Sequence, residues 1–335
     1  MNTTLYSLLV AAILSAAADG ESLVGPDAIV AQDGSGQYTS VQEAIDHTPA
    51  RSSKNDRRWI ILIKPGTYRE VVYIEREFSN LAIIGEDAEH TVLTYDLNAK
   101  LTGLDGKPIG TFRTPTLYID ADGAVFQNLT VANTAAPGAG QGLALRVDAD
   151  RVAFRNCRFL GFQDTVLLNR GRQYFDGCTI EGLVDFIFGG ATAFFQHCQI
   201  RCLHTRFSGF VTAASTPEGQ PFGFVFGDCR ITGPVPDRKS FLGRPWRNYA
   251  KTVFINTEMS AVISRAGWDN WDNLQAEKTT FYAEYHSTGP GSDPAGRVRW
   301  IRQLTDAEAL NYTVSNVLGG SDGWNPEASL IPKAK

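Results

Sequence analysis

Phe154-Arg-Asn-Cys157-Arg-Phe159, Phe175-Asp-Gly-Cys178-Thr-Ile180, Phe195-Gln-His-Cys198-Gln-Ile200 and Phe226-Gly-Asp-Cys229-Arg-Ile231 are four versions of one phrase, and an earlier version reads Phe126-Gln-Asn-Leu129-Thr-Val131. From Leu129 through the four cysteines the offsets are 28, 21, 20 and 31 residues. A unit of about 20 residues into which loops of varying length are inserted is the mark of a solenoid. Such a unit is too short for a strand and a packed crossover helix. It nevertheless carries an aromatic, a Cys and an Ile at alternate positions, as inward-facing residues of short strands do. Both facts are met by an all-β fold, a right-handed parallel β-helix. Equivalent residues of successive coils then stack about 4.8 Å apart, and the cysteines form a ladder of small buried hydrophobes. Trp59 to Ile63 and Leu81 to Gly85 supply the first coils, and Thr305 to Val317 has the spacing of a short C-terminal helical segment.

Composition agrees. The 335 residues are 43% hydrophobic and 20% charged with 32 Gly, which fits a globular chain rich in turns and excludes a disordered one. With 31 Lys plus Arg against 36 Asp plus Glu, the net charge of -5 and the lack of a basic run argue against nucleic acid as a partner. The apolar stretch Leu5 to Ala18, ending in Ser15-Ala16-Ala17-Ala18, reads as a signal peptide cleaved near Ala18, although no Lys or Arg precedes it. Residues 1–19 are thus expected to be a leader and residues 20–335 one domain, secreted to the extracellular space or periplasm. No later stretch is long enough to span a membrane as a helix. Five cysteines cannot all pair within the chain, and no Cys-x-x-Cys or matching His spacing offers a metal site. No cofactor is called for, and a monomer is expected.

The repeat tests any polar residue found in register. Asp164 follows Cys157 by 7 residues and Asp185 follows Cys178 by 7, so the two carboxylates belong to equivalent places in neighbouring coils. One strand spacing plus side-chain freedom puts them roughly 5 to 7 Å apart. Gln163 precedes Asp164, and Gln141 lies 22 residues before Gln163, close to one further coil. Two such acids repel, raising the pKa of one unless a cation intervenes; Arg244, in Leu242-Gly-Arg-Pro-Trp246, is the cationic candidate. An Asp paired with Arg stays ionised as a nucleophile, an unpaired one keeps a proton as general acid, and the amides suit an oxyanion. Together these are parts for acyl transfer. His-Glu-x-x-His and Gly-x-x-x-x-Gly-Lys are both missing.

Gly66-Thr-Tyr-Arg-Glu70, Gln141-Gly-Leu-Ala-Leu145, Gly161-Phe-Gln-Asp-Thr165, Val184-Asp-Phe-Ile-Phe-Gly189, Leu242-Gly-Arg-Pro-Trp246 and Gly267-Trp-Asp-Asn-Trp271 occur in that order. With them the chain resembles the pectin methylesterases from about residue 27 to 326. The resemblance implies a secreted enzyme that hydrolyses the methyl esters of galacturonate in pectin. It implies Asp185 as nucleophile, Asp164 as acid and then base, Gln141 and Gln163 as oxyanion donors, and Arg244 as the residue that orients Asp185. It further implies a sugar groove lined by Trp246 and Trp268, with Phe112, Phe186 and Phe162 as additional aromatics. Val166-Leu-Leu-Asn169 stands where the family often has an aromatic, which bears on substrate preference. Three other readings stay open: a pectin-binding β-helix without catalysis, an esterase or thioesterase on another acyl group, and a calcium-dependent lyase. The acidic balance of the chain leads us to expect that esterified stretches are favoured over pectate.

Overall fold

The structure, a computed structural model, describes residues 25–49, 57–204, 207–234 and 239–331. The expected leader lies outside the described residues. Strands too short to bury a face alone coil into three parallel sheets, which among the described residues have 11, 8 and 7 strands. Trp59–Ile63, Leu81–Gly85, Val125–Gln127, Val152–Arg155, Arg172–Asp176, Thr192–Gln196 and Phe224–Gly227 follow one another in the first sheet. Thr130–Asn133, Arg158–Leu160, Thr179–Gly182, Gln199–Cys202 and Arg230–Thr232 do so in the second. Leu117–Ile119, Leu145–Val147, Val166–Leu168, Ile187–Gly189, Gly209–Ala214 and Ser240–Gly243 form most of the third. This is the right-handed parallel β-helix that the repeat predicts, and both of the early segments named from sequence are strands in it.

The register pairs the repeated phrases residue for residue. Phe126, Phe154, Phe175, Phe195, Phe226 and Phe254 lie opposite one another in turn, and their rings stack with centroids 5.2, 4.6, 4.7, 4.4 and 4.5 Å apart. Such a column buries apolar surface and adds favourable offset stacking at each step. Cys157, Cys178, Cys198 and Cys229 form the expected ladder beside it, and all five cysteines are buried free thiols. Between the first and second sheets the chain turns through one left-handed residue per coil, at Asn128, Asn156, Gly177, His197, Asp228 and Asn256. Asn and Asp tolerate that conformation better than most residues.

Helical structure is sparser than the spacing of Thr305 to Val317 suggests. That stretch breaks into Asp306–Ala309 and Val314–Leu318, each begun by a threonine whose hydroxyl accepts a backbone N–H. The second of them packs Val317 and Leu318 onto the outside of the first sheet, against Tyr174 and Phe194. The reading of the sequence named no helix near the other end, yet Val41–Asp46 buries Val41, Ala44 and Ile45 over the first coils. No helix among the described residues is long and apolar enough to cross a membrane.

Candidate active site

Asp164 and Asp185 stand in the turns that lead from the second sheet into the third. Arg158–Leu160 pairs with Thr179–Gly182 before them, and Val166 pairs with Ile187 after them, so the acids occupy the same place in adjacent coils. Both adopt left-handed backbone, with φ of 65° and 51°. The turn is tight because of what packs beneath it. A Cβ on Gly182 would lie 2.2 Å from Cβ of Phe186, and one on Gly161 would lie 2.8 Å from Oγ1 of Thr165. Thr165 is fully buried and its hydroxyl donates to the carbonyl of Glu181, which ties the two turns together.

Arg244 follows the strand Ser240–Gly243, and its amide donates to the carbonyl of Thr212. From there Nε donates to Oδ1 of Asp185 at 2.8 Å and Nη2 to Oδ2 at 2.6 Å, a two-pronged pair on a buried carboxylate. Its guanidinium lies between two rings, 3.9 Å from the centroid of Phe210 and 3.7 Å from that of Trp271. Planar stacking of this kind holds the fork in one orientation.

The two acids are electrically unlike. Burial pushes the Asp164 carboxyl up to about 8, the charge of Asp185 adds to this, and Arg244 only partly offsets it. The Asp164 carboxyl has no hydrogen-bond partner among the described residues, so nothing competes for its proton, although its backbone N–H donates to the carbonyl of Val184. Burial also raises Asp185, with help from Asp269, but there the hydrogen bonds and the charge of Arg244 pull the other way. The two carboxyls therefore differ: burial and the neighbouring charge favour a proton on Asp164, while Arg244 favours the charged form of Asp185.

Both acids open onto a cleft of about 290 Å³ that is lined also by Gln141, Gln163, Arg244, Phe112, Thr111, Phe188, Ala213, Trp246 and Trp271. Gly142 N–H donates to the carbonyl of Gln163 at 3.1 Å, which sets the two glutamines side by side. Neither carboxamide has a hydrogen-bond partner among the described residues. Phe112 and Trp246 face each other with centroids 6.5 Å apart, and Phe188 meets Trp246 edge-on at 5.7 Å.

Three of the expected groove aromatics are elsewhere. Trp268 is buried in the core, stacked on Tyr282 at 4.3 Å, with its indole N–H donating to Glu284. Phe186 is also fully buried, because the space under the Asp185 turn must be filled. Phe162 is half-buried outside the cleft lining, where its carbonyl accepts from Leu183. The residues that take their place are Trp271, at the far end of the quoted Gly267-to-Trp271 string, and Phe188. Outward alternation could have found Phe188: it pairs with Leu167 and Ala213, which share its exterior cluster with Trp246. For Trp271 the signal was thinner, since two tryptophans three residues apart give no hint which one a left-handed turn will throw outward; Trp271 has φ of 55°.

Acids, amides and an arginine gathered around one cleft of a parallel β-helix are the parts of an ester hydrolase. The model of the pectinesterase family matches residues 27–321. Pectinesterase 31 of Arabidopsis thaliana is 42% identical over 288 residues, 84% of this chain and 89% of the relative. Probable pectinesterase/pectinesterase inhibitor 23 of the same plant is 37% identical over 334 residues, and there the chain spans only 57% of the relative's length. Among solved structures, the pectin methylesterase from carrot superposes with a TM-score of 0.85 at 35% identity, covering 94% of this chain and 99% of that one. A pectin methylesterase in complex with a hexasaccharide gives 0.78 at 29% identity, covering 92% and 100%. The chain belongs to the pectinesterase family. It is a carboxylic ester hydrolase.

Proposed function

We propose that this enzyme hydrolyses methyl esters of galacturonate in pectin, with Asp185 as nucleophile and Asp164 as acid and base. The observation that carries the reading is the asymmetric acid pair: one carboxylate clamped by Arg244, the other without a partner and inclined to keep its proton. In the first half-reaction an oxygen of Asp185 attacks the ester carbon. The oxyanion that forms is stabilised by N–H groups of the free Gln141 and Gln163 carboxamides. As the C–O bond to the methoxy group breaks, Asp164 gives its proton to the leaving oxygen and methanol departs. The acyl group then sits on Asp185 as a mixed anhydride, and Asp164, now a carboxylate, takes a proton from water. Attack by that water on the substrate carbonyl carbon releases a free galacturonate and restores both acids.

Phe112, Trp246 and Trp271 supply flat apolar faces suited to pyranose rings. A relative solved in complex with a hexasaccharide supports a polymeric substrate. We also take the enzyme to be exported, on the strength of the Leu5-to-Ala18 stretch, and to act as a monomer. Methanol release from highly methylated pectin tests the activity. The wild-type chain should release methanol, and Asp185→Asn should lose at least about 10⁴ of kcat, as removal of a nucleophile does in comparable machinery. Pectin binding without methanol from either protein would turn the reading to a non-catalytic module, and an active Asp185→Asn would move the nucleophile elsewhere.

A further inference from the structure

The oxyanion reading of Gln141 raises the question of what holds it, because Gln141 lies in a loop and not in a strand. The answer lies in a buried residue outside the cleft. Asn133, at the end of the strand Thr130–Asn133, is 4% exposed. Its Oδ1 accepts the N–H of Ala135 at 3.0 Å, at the start of the loop that leads to Gln141. Its Nδ2 faces the carbonyl of Leu143 at 3.1 Å, two residues beyond Gln141. The same Nδ2 reaches the carbonyl of Leu97 at 2.9 Å and that of Thr114 at 3.3 Å. Leu97 precedes the hairpin whose Ala99 N–H donates to the carbonyl of Gln141 itself at 2.8 Å. Thr114 closes the turn that carries Thr111 and Phe112 to the rim of the cleft.

Thr114 completes the grip. Its hydroxyl oxygen accepts the N–H of Leu143 at 3.0 Å while the hydroxyl donates to the carbonyl of Thr111 at 2.7 Å, and the side chain is fully buried. Leu143 is thus held by its N–H through Thr114 and by its C=O through Asn133. A Cβ on Gly142 would come within 2.9 Å of Oδ1 of Asn133, so the backbone runs flush against the amide. From this geometry we infer that Asn133 and Thr114 are positioning residues for the Gln141 carboxamide. They fix both ends of its loop, so that its N–H points to the developing oxyanion before substrate arrives. Preorganised donors stabilise a transition state only if they need no reorganisation when charge develops.

The inference rests on the reading of Gln141 as an oxyanion donor, and a double-mutant cycle on methanol release separates the two. Gln141→Ala should lower kcat. Asn133→Ser and Thr114→Val should each lower kcat about 10-fold to 100-fold with KM changed by less than about 3-fold, a cost at or below that of losing an oxyanion donor outright. Thr114→Ser, which keeps the acceptor for Leu143 N–H, should restore kcat to near the wild-type value. Either positioning variant combined with Gln141→Ala should be no slower than Gln141→Ala alone, because the loss has already been taken. Gln173→Ala is the matched control. It removes a buried amide that bonds two carbonyls in another part of the solenoid, and it should lower Tm with kcat unchanged. The inference is overturned if Asn133→Ser and Thr114→Val lower Tm but not kcat, or if their losses multiply with that of Gln141→Ala. Wild-type kcat in Gln141→Ala would instead overturn the oxyanion reading, and the inference with it. Should Asn133→Ser fail to fold, Thr114→Val against Thr114→Ser decides the matter alone, since Val and Thr have nearly the same shape.

Discussion

At the scale of single residues, the proposed chemistry depends on one carboxylic acid that is hard to ionise. Asp164 is pushed from the ordinary 3.8 up to about 8. Between those two pH values the folded chain holds a proton that the unfolded chain has released, so this group costs stability progressively as pH rises through that window. Asp164→Asn removes the cost. Thermal melts should show the variant several degrees more stable than wild type at pH 8 to 9, with the gap closing below about pH 4, while kcat falls by roughly 10² to 10⁴. The wild-type kcat/KM should decline with a basic limb near pH 8, where Asp164 loses the proton it must give to methanol, and an unchanged rate up to pH 10 would remove Asp164 as the acid. Arg244 has the opposite task. Arg244→Lys replaces a rigid fork by a single ammonium, so kcat should drop at least about 10-fold even if the charge is retained. The acids and Gln163 were legible because the repeat supplies their register, and Arg244 because it is the cation of a short, distinctive string. The aromatic walls were not: Trp268 and Trp271 have the same chemistry, and only the backbone turn between them decides which meets solvent.

The elements of this fold are individually weak, and their shape is fixed by what small residues permit. Gly182 sits under the turn of Asp185, where an added methyl would overlap Phe186. Gly182→Ala should cost about 1–3 kcal/mol in urea unfolding, as overpacking does, and should also lower kcat because the strain is relieved by moving Asp185. Equal losses of stability with full activity would show that the turn yields elsewhere. Strand positions were legible from the alternation Phe-x-x-Cys-x-Ile, and Thr305 and Thr313 mark real helix starts. The length of that C-terminal helix was not, because the residues between Ala309 and Val314 turn to lay Tyr312 against Phe222 and Phe281. Tertiary packing there overrides a helical period.

For the molecule as a whole, the aromatic column ends in an unexpected way. The residue opposite Phe254 in the next coil is Glu284, which is buried and bound by Arg297 through Nε at 2.8 Å and Nη2 at 2.9 Å, and by the Trp268 indole at 3.0 Å. Arg297 also donates to the carbonyl of Gly291 at 2.7 Å. Removing one partner leaves a buried charge unmatched, so Glu284→Leu should destabilise by about 3–5 kcal/mol, while Glu284→Leu with Arg297→Leu should recover much of the loss. Equilibrium unfolding in urea measures both. No motif in the sequence points to this pair, since 13 residues separate its members and neither lies in a quoted string. A stack of parallel coils has no intrinsic length: each layer offers its successor the same rows of unpaired amides and the same flat rings, so two molecules meeting end to end could go on growing as one fibre. An ion pair set where the next phenylalanine would be denies the column a matching ring. The column of rings therefore stops before the sheet does, since Arg302–Gln303 still pairs with Phe281–Tyr285 beyond the charge.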